Sequence, residues 1–386
     1  MRERAASGAG NSMNDELRIA YDARFSIGQY RGMGRYLRTL IAGREQRLLG
    51  FCAGGEHDSA LRLVAERPAF YPAWEQIAVP RLVRRHGIEV FIAPYNTAPL
   101  MLPRETRLVL IVHDIIYMDP LPASRSIYQN SGRIYRRLIV PRAIARADLV
   151  VTVSNFTASS IVSRFGLEPD RLRIIPNSLA EEWFVSDMPR PRSEDYILVV
   201  AGEAPSKNLN RALEAFAQCR KLMNNSYLRI KVAGVKPAFH AGFADRARLL
   251  GVGNHLELLP YLTDEDMRAL YRNASVLFMP SLAEGFGIPV LEAMASGVPV
   301  VASNVSSLPE IGGDAPLYVD PTSTEHMAQI LHQILFDSGL RARMVELGRV
   351  QARKFHPAVI RVAIQKFWDE LTNVDEPFPA RELAAW

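Results

Sequence analysis

From residue 17 onward, short runs rich in Val, Ile and Leu alternate with longer stretches of helical periodicity. That order is satisfied by strand–helix units that stack into a parallel sheet, with helices covering both of its faces. Strands are predicted over 17–23, 48–53, 88–93, 107–113, 148–153 and 172–175 in the first half, and over 196–201, 228–233, 255–259, 275–279, 298–302 and 317–319 in the second. Six candidates lie on either side of a polar, proline-containing stretch, 184–195, which predicts two α/β doubly wound domains of similar size. The chain length of 386 residues agrees, because one hydrophobic core rarely grows beyond roughly 250–300 residues. The expected layout is a domain over 13–183, a hinge-like linker over 184–195, a second domain over 196–356, a closing helix over 357–372 that can cross back to the first domain, and tails at 1–12 and 373–386. In the closing helix Val359, Ile360, Ala363, Phe367 and Trp368 should form the face that packs on a core.

Composition removes several classes of function. The two cysteines, Cys52 and Cys219, have neither a CxxC partner nor a nearby His cluster, so neither a disulfide framework nor a zinc knuckle is indicated and a reducing compartment fits. The first dozen residues lack the apolar stretch of a signal peptide, and no apolar run reaches membrane-spanning length, so the expected location is cytoplasmic. A net charge of +5 suits anionic small molecules or an anionic membrane surface and is too small to argue for nucleic acid.

The chemistry gathers in loops that follow predicted strands, where open α/β sheets bind their ligands. Residues 284–292 (EGFGIPVLE) follow the strand at 275–279. Gly285 and Gly287 are expected to let backbone approach a ligand, and Pro289 to open a helix that stops at Gly297, with Glu292 in its first turn. A helix start offers free N–H groups and partial positive charge to a diphosphate. Carboxylates accept paired hydrogen bonds from adjacent hydroxyls, which suits Glu292 to a ribose diol and Glu284 to a sugar. Two isolated glutamates would be ordinary surface residues, and it is the loop, glycine, proline and helix pattern as a whole that favours a site.

Lys207 ends the first strand-to-helix loop of the second domain (AGEAPSKN), where its ammonium can neutralise a leaving diphosphate. In the first domain a Gly-x3-Gly-x-Gly loop, with Gly28, Gly32 and Gly34, precedes a helix over 35–41. Its spacing is not that of a dinucleotide fingerprint, and it is either flexible backbone facing the cleft or a simple turn. His113 ends the strand at 107–113 and should point into the cleft from the opposite side, and no neighbouring histidine completes a metal site. The arginine-rich amphipathic segment 125–148 reads either as a helix with a solvated basic face or as a surface for anionic lipid, the former slightly favoured.

Taken together, EGFGIPVLE, the ASGVPVVASNVSSLPEI that follows it, the lysine–asparagine pair in APSKNLNRALEAF, and VVTVSNFTASSI with IIPNSL resemble the family-four retaining glycosyltransferases. The resemblance covers nearly the whole chain and implies the GT-B fold, two Rossmann-like domains facing each other across a cleft. Tyr21-Asp-Ala, the Gly32–Gly34 loop and Val112-His-Asp-Ile115 look most like members that assemble bacterial surface polysaccharides, often from GDP-mannose. Carried over by position, it implies that Glu284 contacts the donor sugar and that the backbone of Phe286, Gly287 and Ile288, beside Gly285, lines its pocket. It further implies that Glu292 holds the ribose, Lys207 the diphosphate, and His113 the sugar or reaction centre, while Gly32 and Gly34 border the phosphates and acceptor. Two positions depart from the pattern: Ala201-Gly202-Glu203 stands where the family often carries an arginine, and Ser178 where it usually has glycine.

The expected chemistry is transfer of a hexose, mannose favoured, from a nucleoside diphosphate sugar to a glycan or lipid-linked acceptor, with retention and with neither a metal nor a separate cofactor. A peripheral contact with the inner face of the membrane fits that role. The rival readings are a sugar-nucleotide epimerase of the same fold, which would need a second acid/base residue at the cleft, and a non-catalytic nucleotide-sugar-binding subunit.

Overall fold

The structure is a computed structural model that describes residues 17–373, apart from 29–31, 55–56, 68–69, 121–126, 185–194 and 224–226. All but the two end residues of the expected linker, almost all of the two tails, and Arg125 lie outside the described residues.

In the first half the strands are β1 (Ile19–Asp22), β2 (Leu49–Ala53), β3 (Leu63–Glu66), β4 (Val90–Ala93), β5 (Arg107–Val112), β6 (Leu149–Thr152) and β7 (Leu172–Ile174). Between them run α1 (Met33–Ile41), the short α2 (Tyr71–Ala73), which passes through a π turn into α3 (Val79–His86), then α4 (Ile127–Arg146) and α5 (Asn155–Phe165). The second half contributes β8 (Tyr196–Val200), β9 (Arg229–Ala233), β10 (Leu256–Leu258), β11 (Val276–Met279), β12 (Val300–Ser303) and β13 (Leu317–Val319). Its helices are α6 (Leu209–Met223), α7 (His240–Leu249), α8 (Asp264–Asn273), α9 (Ile288–Ala295), α10 (Leu308–Gly312), α11 (Thr324–Phe336), α12 (Ser338–Arg353) and α13 (Pro357–Thr372).

Each half forms its own sheet, parallel at every pairing, in the orders β3-β2-β1-β4-β5-β6-β7 and β10-β9-β8-β11-β12-β13. Strands β4, β6 and β11 are buried at every residue, as their unbroken apolar runs require between two helical layers. The order of winding reverses between β1 and β4 in one sheet and between β8 and β11 in the other. At such a switch point the loops leaving adjacent strands turn to opposite faces and open a crevice at the carboxyl edge.

The twelve expected strands are all present, and β3 is an additional one. Its four residues, LVAE, sit half-exposed at the sheet edge between Arg62 and Arg67, too short and too charged in context to register as a strand.

Helix α13 packs on the first domain. The Trp368 indole donates to the Leu40 carbonyl at 2.8 Å, beneath the Arg44 guanidinium, and Arg173 donates to Glu370 at 2.9 Å. Its buried stripe is Ile360, Ile364, Phe367, Trp368 and Leu371, spaced at helical period. Val359 does not belong to that stripe: it is 52% exposed, because it falls one residue out of phase with the buried face.

Candidate active site

The β8/β11 switch point brings Lys207 and Glu284 together. After β8 the chain makes a single tight turn over Pro205–Lys207, then passes through Asn208 in the left-handed region (φ 58°) into α6. The Asn208 amide fixes that turn by donating to the carbonyls of Pro280 and Pro321 at 2.9 and 2.7 Å. After β11 the chain leads to Glu284, and Lys207 Nζ lies 2.7 and 2.9 Å from the two Glu284 carboxylate oxygens.

Two serines hold the Glu284 loop in place. Ser306, itself at positive φ, accepts the Glu284 N–H at 2.9 Å, while the wholly buried Ser307 donates to the carbonyls of Glu284 and Phe286 at 3.0 and 2.9 Å. The Phe286 ring is buried edge-on against Phe355, so only its backbone is available to a ligand. Gly287 follows at φ 107° and caps α9. Among the described residues, the N–H groups of Phe286, Gly287 and Ile288 donate to no protein acceptor, leaving the free donors and positive dipole end that an anion requires.

Glu292 lies one residue past the first turn of α9, not within it, because the helix starts at Ile288 rather than Pro289. Its carboxylate is buried, accepts the Tyr271 hydroxyl at 2.7 Å and lies 3.9 Å from the Arg35 guanidinium of the facing domain. Burial pushes its pKa up to about 7, against the lowering effects of Tyr271 and Arg35.

Gly285 also differs from expectation, since what excludes a side chain there is protein. A Cβ would stand 2.2 Å from the His113 carbonyl oxygen and 2.8 Å from the Asp114 Cβ. Across the same seam, the Gly285 carbonyl accepts the hydroxyls of Ser154 at 2.8 Å and Thr157 at 3.2 Å. Glu310 reaches over to the start of α5, where it accepts the N–H groups of Asn155 and Phe156 and the Asn155 amide at 2.8–2.9 Å. A third tie joins Arg35 to Asp264 at 2.8 Å.

From the first domain, His113 is the residue that follows β5. Its Nε2 lies 2.9 Å from the Pro94 carbonyl, which can only accept, so Nε2 carries the proton and Nδ1 is left as an acceptor. Burial lowers its pKa to about 4, and the ring is neutral at pH 7. Its backbone N–H donates to Asn96 Oδ1 at 2.6 Å, and Tyr36 packs edge-on against the ring. Asp114 follows; burial raises its pKa, with the Glu284 carboxylate adding and Arg136 and Lys207 opposing.

Helix α1 begins at Met33, two residues before its expected start, so Gly34 is a buried helical residue, while Gly32 caps the helix at φ 43°. Gly32 and Ile288 line one small pocket, so the starts of α1 and α9 face each other. At the two positions that depart from the family pattern, the Glu203 carboxylate pairs with Lys236 at 3.4 Å, and Ser178 makes its turn without positive φ while donating to the Phe355 carbonyl at 3.0 Å. Along α4, Arg137 donates to the carbonyls of Tyr117 and Asp119, Arg136 lies over the Tyr117 ring and Arg146 pairs with Asp148, so part of the basic face is turned inward. Among the described side chains of α4, Ile134 and Leu138 are the exposed large apolar ones. Among the described residues, no helix is long and apolar enough to cross a membrane.

Arg35, Tyr271, Asp114 and the serine pair were not singled out by sequence reasoning. Arg35, Tyr271 and the serine pair reach the site from other segments of the chain, for which local spacing carries no signal, while Asp114 directly follows His113.

Comparison with known proteins agrees with this fold. The family model for glycosyl transferases group 1 matches residues 185–351, and that for glycosyltransferase family 4 matches residues 31–182. The chain is 32% identical over 278 residues to O-antigen chain mannosyltransferase B of Escherichia coli, covering 68% of this chain and 70% of that protein. WaaG, a glycosyltransferase involved in lipopolysaccharide biosynthesis, superimposes with a TM-score of 0.70 at 19% identity over 92% of this chain and 100% of its own. Anabaena HepE, solved in complex with UDP-glucose, gives 0.71 at 16% identity over 92% and 99%. The two facing Rossmann-like domains and these matches establish that the chain belongs to the family 4 (group 1) glycosyltransferases, with the GT-B fold.

Proposed function

We propose that this glycosyltransferase moves a hexose, mannose favoured, from a nucleoside diphosphate sugar to a glycan or lipid-linked acceptor in the assembly of a cell-surface polysaccharide. The observation that carries the reading is the convergence of Lys207, Glu284, the free amides at the start of α9 and Glu292 at one switch point. The diphosphate lies against those amides and the Lys207 ammonium. Glu292 accepts the ribose hydroxyls in place of the Tyr271 hydroxyl, and Glu284 accepts hydroxyls of the sugar. Neutral His113 accepts a sugar hydroxyl at Nδ1; a ring with a pKa near 4 is a polar contact here rather than a proton relay.

In this reading the acceptor oxygen forms its bond to the anomeric carbon on the face from which the diphosphate oxygen leaves, and that departing oxygen takes the acceptor proton. The configuration is retained, and the developing charge is met by fixed dipoles and Lys207 rather than by a metal. The pocket between the starts of α1 and α9 measures about 10 Å³, so a diphosphate enters there only when the two domains part. GDP-mannose is the favoured donor, supported by the resemblance to the E. coli mannosyltransferase. In this reading the reaction takes place on the cytoplasmic side of the membrane, and α4, which exposes Ile134 and Leu138, is the surface for peripheral contact.

A panel of GDP-, UDP- and ADP-sugars assayed for protection against thermal unfolding tests the donor site, since a ligand of the folded state raises the midpoint by mass action. Protection by GDP-mannose above the others is expected; protection by a UDP-sugar alone would discard the mannose assignment. Conversion of the sugar nucleotide in the absence of any acceptor would favour an epimerase.

A further inference from the structure

A cavity of about 270 Å³ lies beside Glu284, between the end of β5 and helix α5. At about 30 Å³ per molecule of liquid water it has room for several waters or one pyranose ring. Its wall combines carboxylates (Asp114 and Glu284), hydroxyls such as that of Ser160, and the half-exposed ring of Phe156. That set suits a sugar, which presents hydroxyl donors around its rim and C–H groups on its face.

The charges argue against an anionic occupant. Among the described lining residues the one cation, Arg164, is paired with Asp119 at 2.9 Å. The amides at the start of α5, which would otherwise cradle a phosphate, are taken by Glu310. Asp114 Oδ1 accepts the Ile116 N–H at 3.1 Å, which leaves Oδ2 to accept a hydrogen bond from a ligand. Asp114 also stands close enough to Glu284 for that carboxylate to disfavour ionisation of Asp114.

We propose that this cavity is the acceptor site, that it takes the terminal neutral sugar of a glycan rather than a phosphate-bearing headgroup, and that Asp114 accepts the hydrogen bond of the reacting hydroxyl. The assignment rests on the transfer reaction proposed above and adds the substrate class. Asp114 orients the hydroxyl, and the proton still ends on the departing diphosphate oxygen.

Saturation-transfer NMR on the full chain tests it, with the methyl glycosides of mannose, galactose and N-acetylglucosamine as neutral probes and glycerol 1-phosphate as the anionic one. At least one glycoside should show a signal that is lost in Ser160→Trp, which fills the cavity from an already partly exposed helix face, and weakened in Asp114→Asn. Protection against unfolding by the nucleotide sugar should be the same in Ser160→Trp as in the parent. Retention of every glycoside signal in Ser160→Trp, or binding of glycerol 1-phosphate alone, would overturn the assignment. Failure of the donor reading has a separate signature, the absence of nucleotide-sugar protection in the parent protein, and the glycoside result stands apart from it.

Discussion

Lys207 and Glu284, 77 residues apart in the chain, form a bidentate ion pair at 2.7 and 2.9 Å where the second sheet reverses its winding. The Glu284 side chain is 10% exposed and that of Lys207 29%. Each is therefore the main counter-charge of the other until a ligand separates them.

Replacement of either residue by Ala should lower turnover by orders of magnitude. Lys207→Met should also destabilise the protein by about 2 kcal/mol, less than the loss of a partner from a fully buried pair because Lys207 retains some solvent. Adding Glu284→Gln to Lys207→Met should restore most of that stability and none of the activity. Denaturant titration and initial rates separate the two effects, and near-normal turnover in either Ala variant would remove both residues from the mechanism.

Gly285→Ala tests the seam between the domains. A methyl group 2.2 Å from the His113 carbonyl must hold the domains apart while leaving each core untouched. Small-angle scattering should show a larger radius of gyration, circular dichroism should be unchanged, and activity should fall at least a hundredfold. An unaltered radius would mean that the loop gives way instead.

Glu310 offers a milder perturbation of the same closure. Glu310→Ala removes the acceptor from the N–H groups of Asn155 and Phe156. Hydrogen exchange at the start of α5 should accelerate by tenfold or more, with exchange in β6 unchanged. Equal protection in variant and parent would show that the clasp does not hold the domains together.

Glu292 sets a pH dependence whose sign follows from burial. Its pKa rises from 4.5 to about 7 on folding, so the folded chain holds a proton there that the unfolded chain has released. This contribution to stability is full below about pH 4.5 and is lost as pH rises through about 7. The unfolding midpoint should fall between pH 5 and 8 more steeply in the parent than in Glu292→Gln. Conversely, kcat/KM for the nucleotide sugar should rise through about pH 7, because only the carboxylate accepts both ribose hydroxyls, and the Gln variant should lose that limb. Identical pH profiles in the two proteins would assign the titration elsewhere.

Much of the fold was legible from local pattern. Apolar runs bounded by Gly and Pro report which segments are buried strands, and Asn208, Gly287 and Pro289 report where the chain turns and where helices begin. Those signals were enough to put Lys207, Glu284 and His113 at the carboxyl edges of their sheets. They did not locate β3, whose four residues are stabilised by a neighbouring strand and not by their own composition.

What the chain alone determined, then, was a pair of parallel α/β units with ligand-facing loops at known places. Tertiary structure decided which of those loops meet. Local periodicity records how deeply a segment is buried but not by what, and strand order follows from long-range packing. Hence the partnership of Lys207 with Glu284, the pressure of His113 on Gly285, and the burial that lifts the Glu292 pKa could be read only once the two sheets stood face to face.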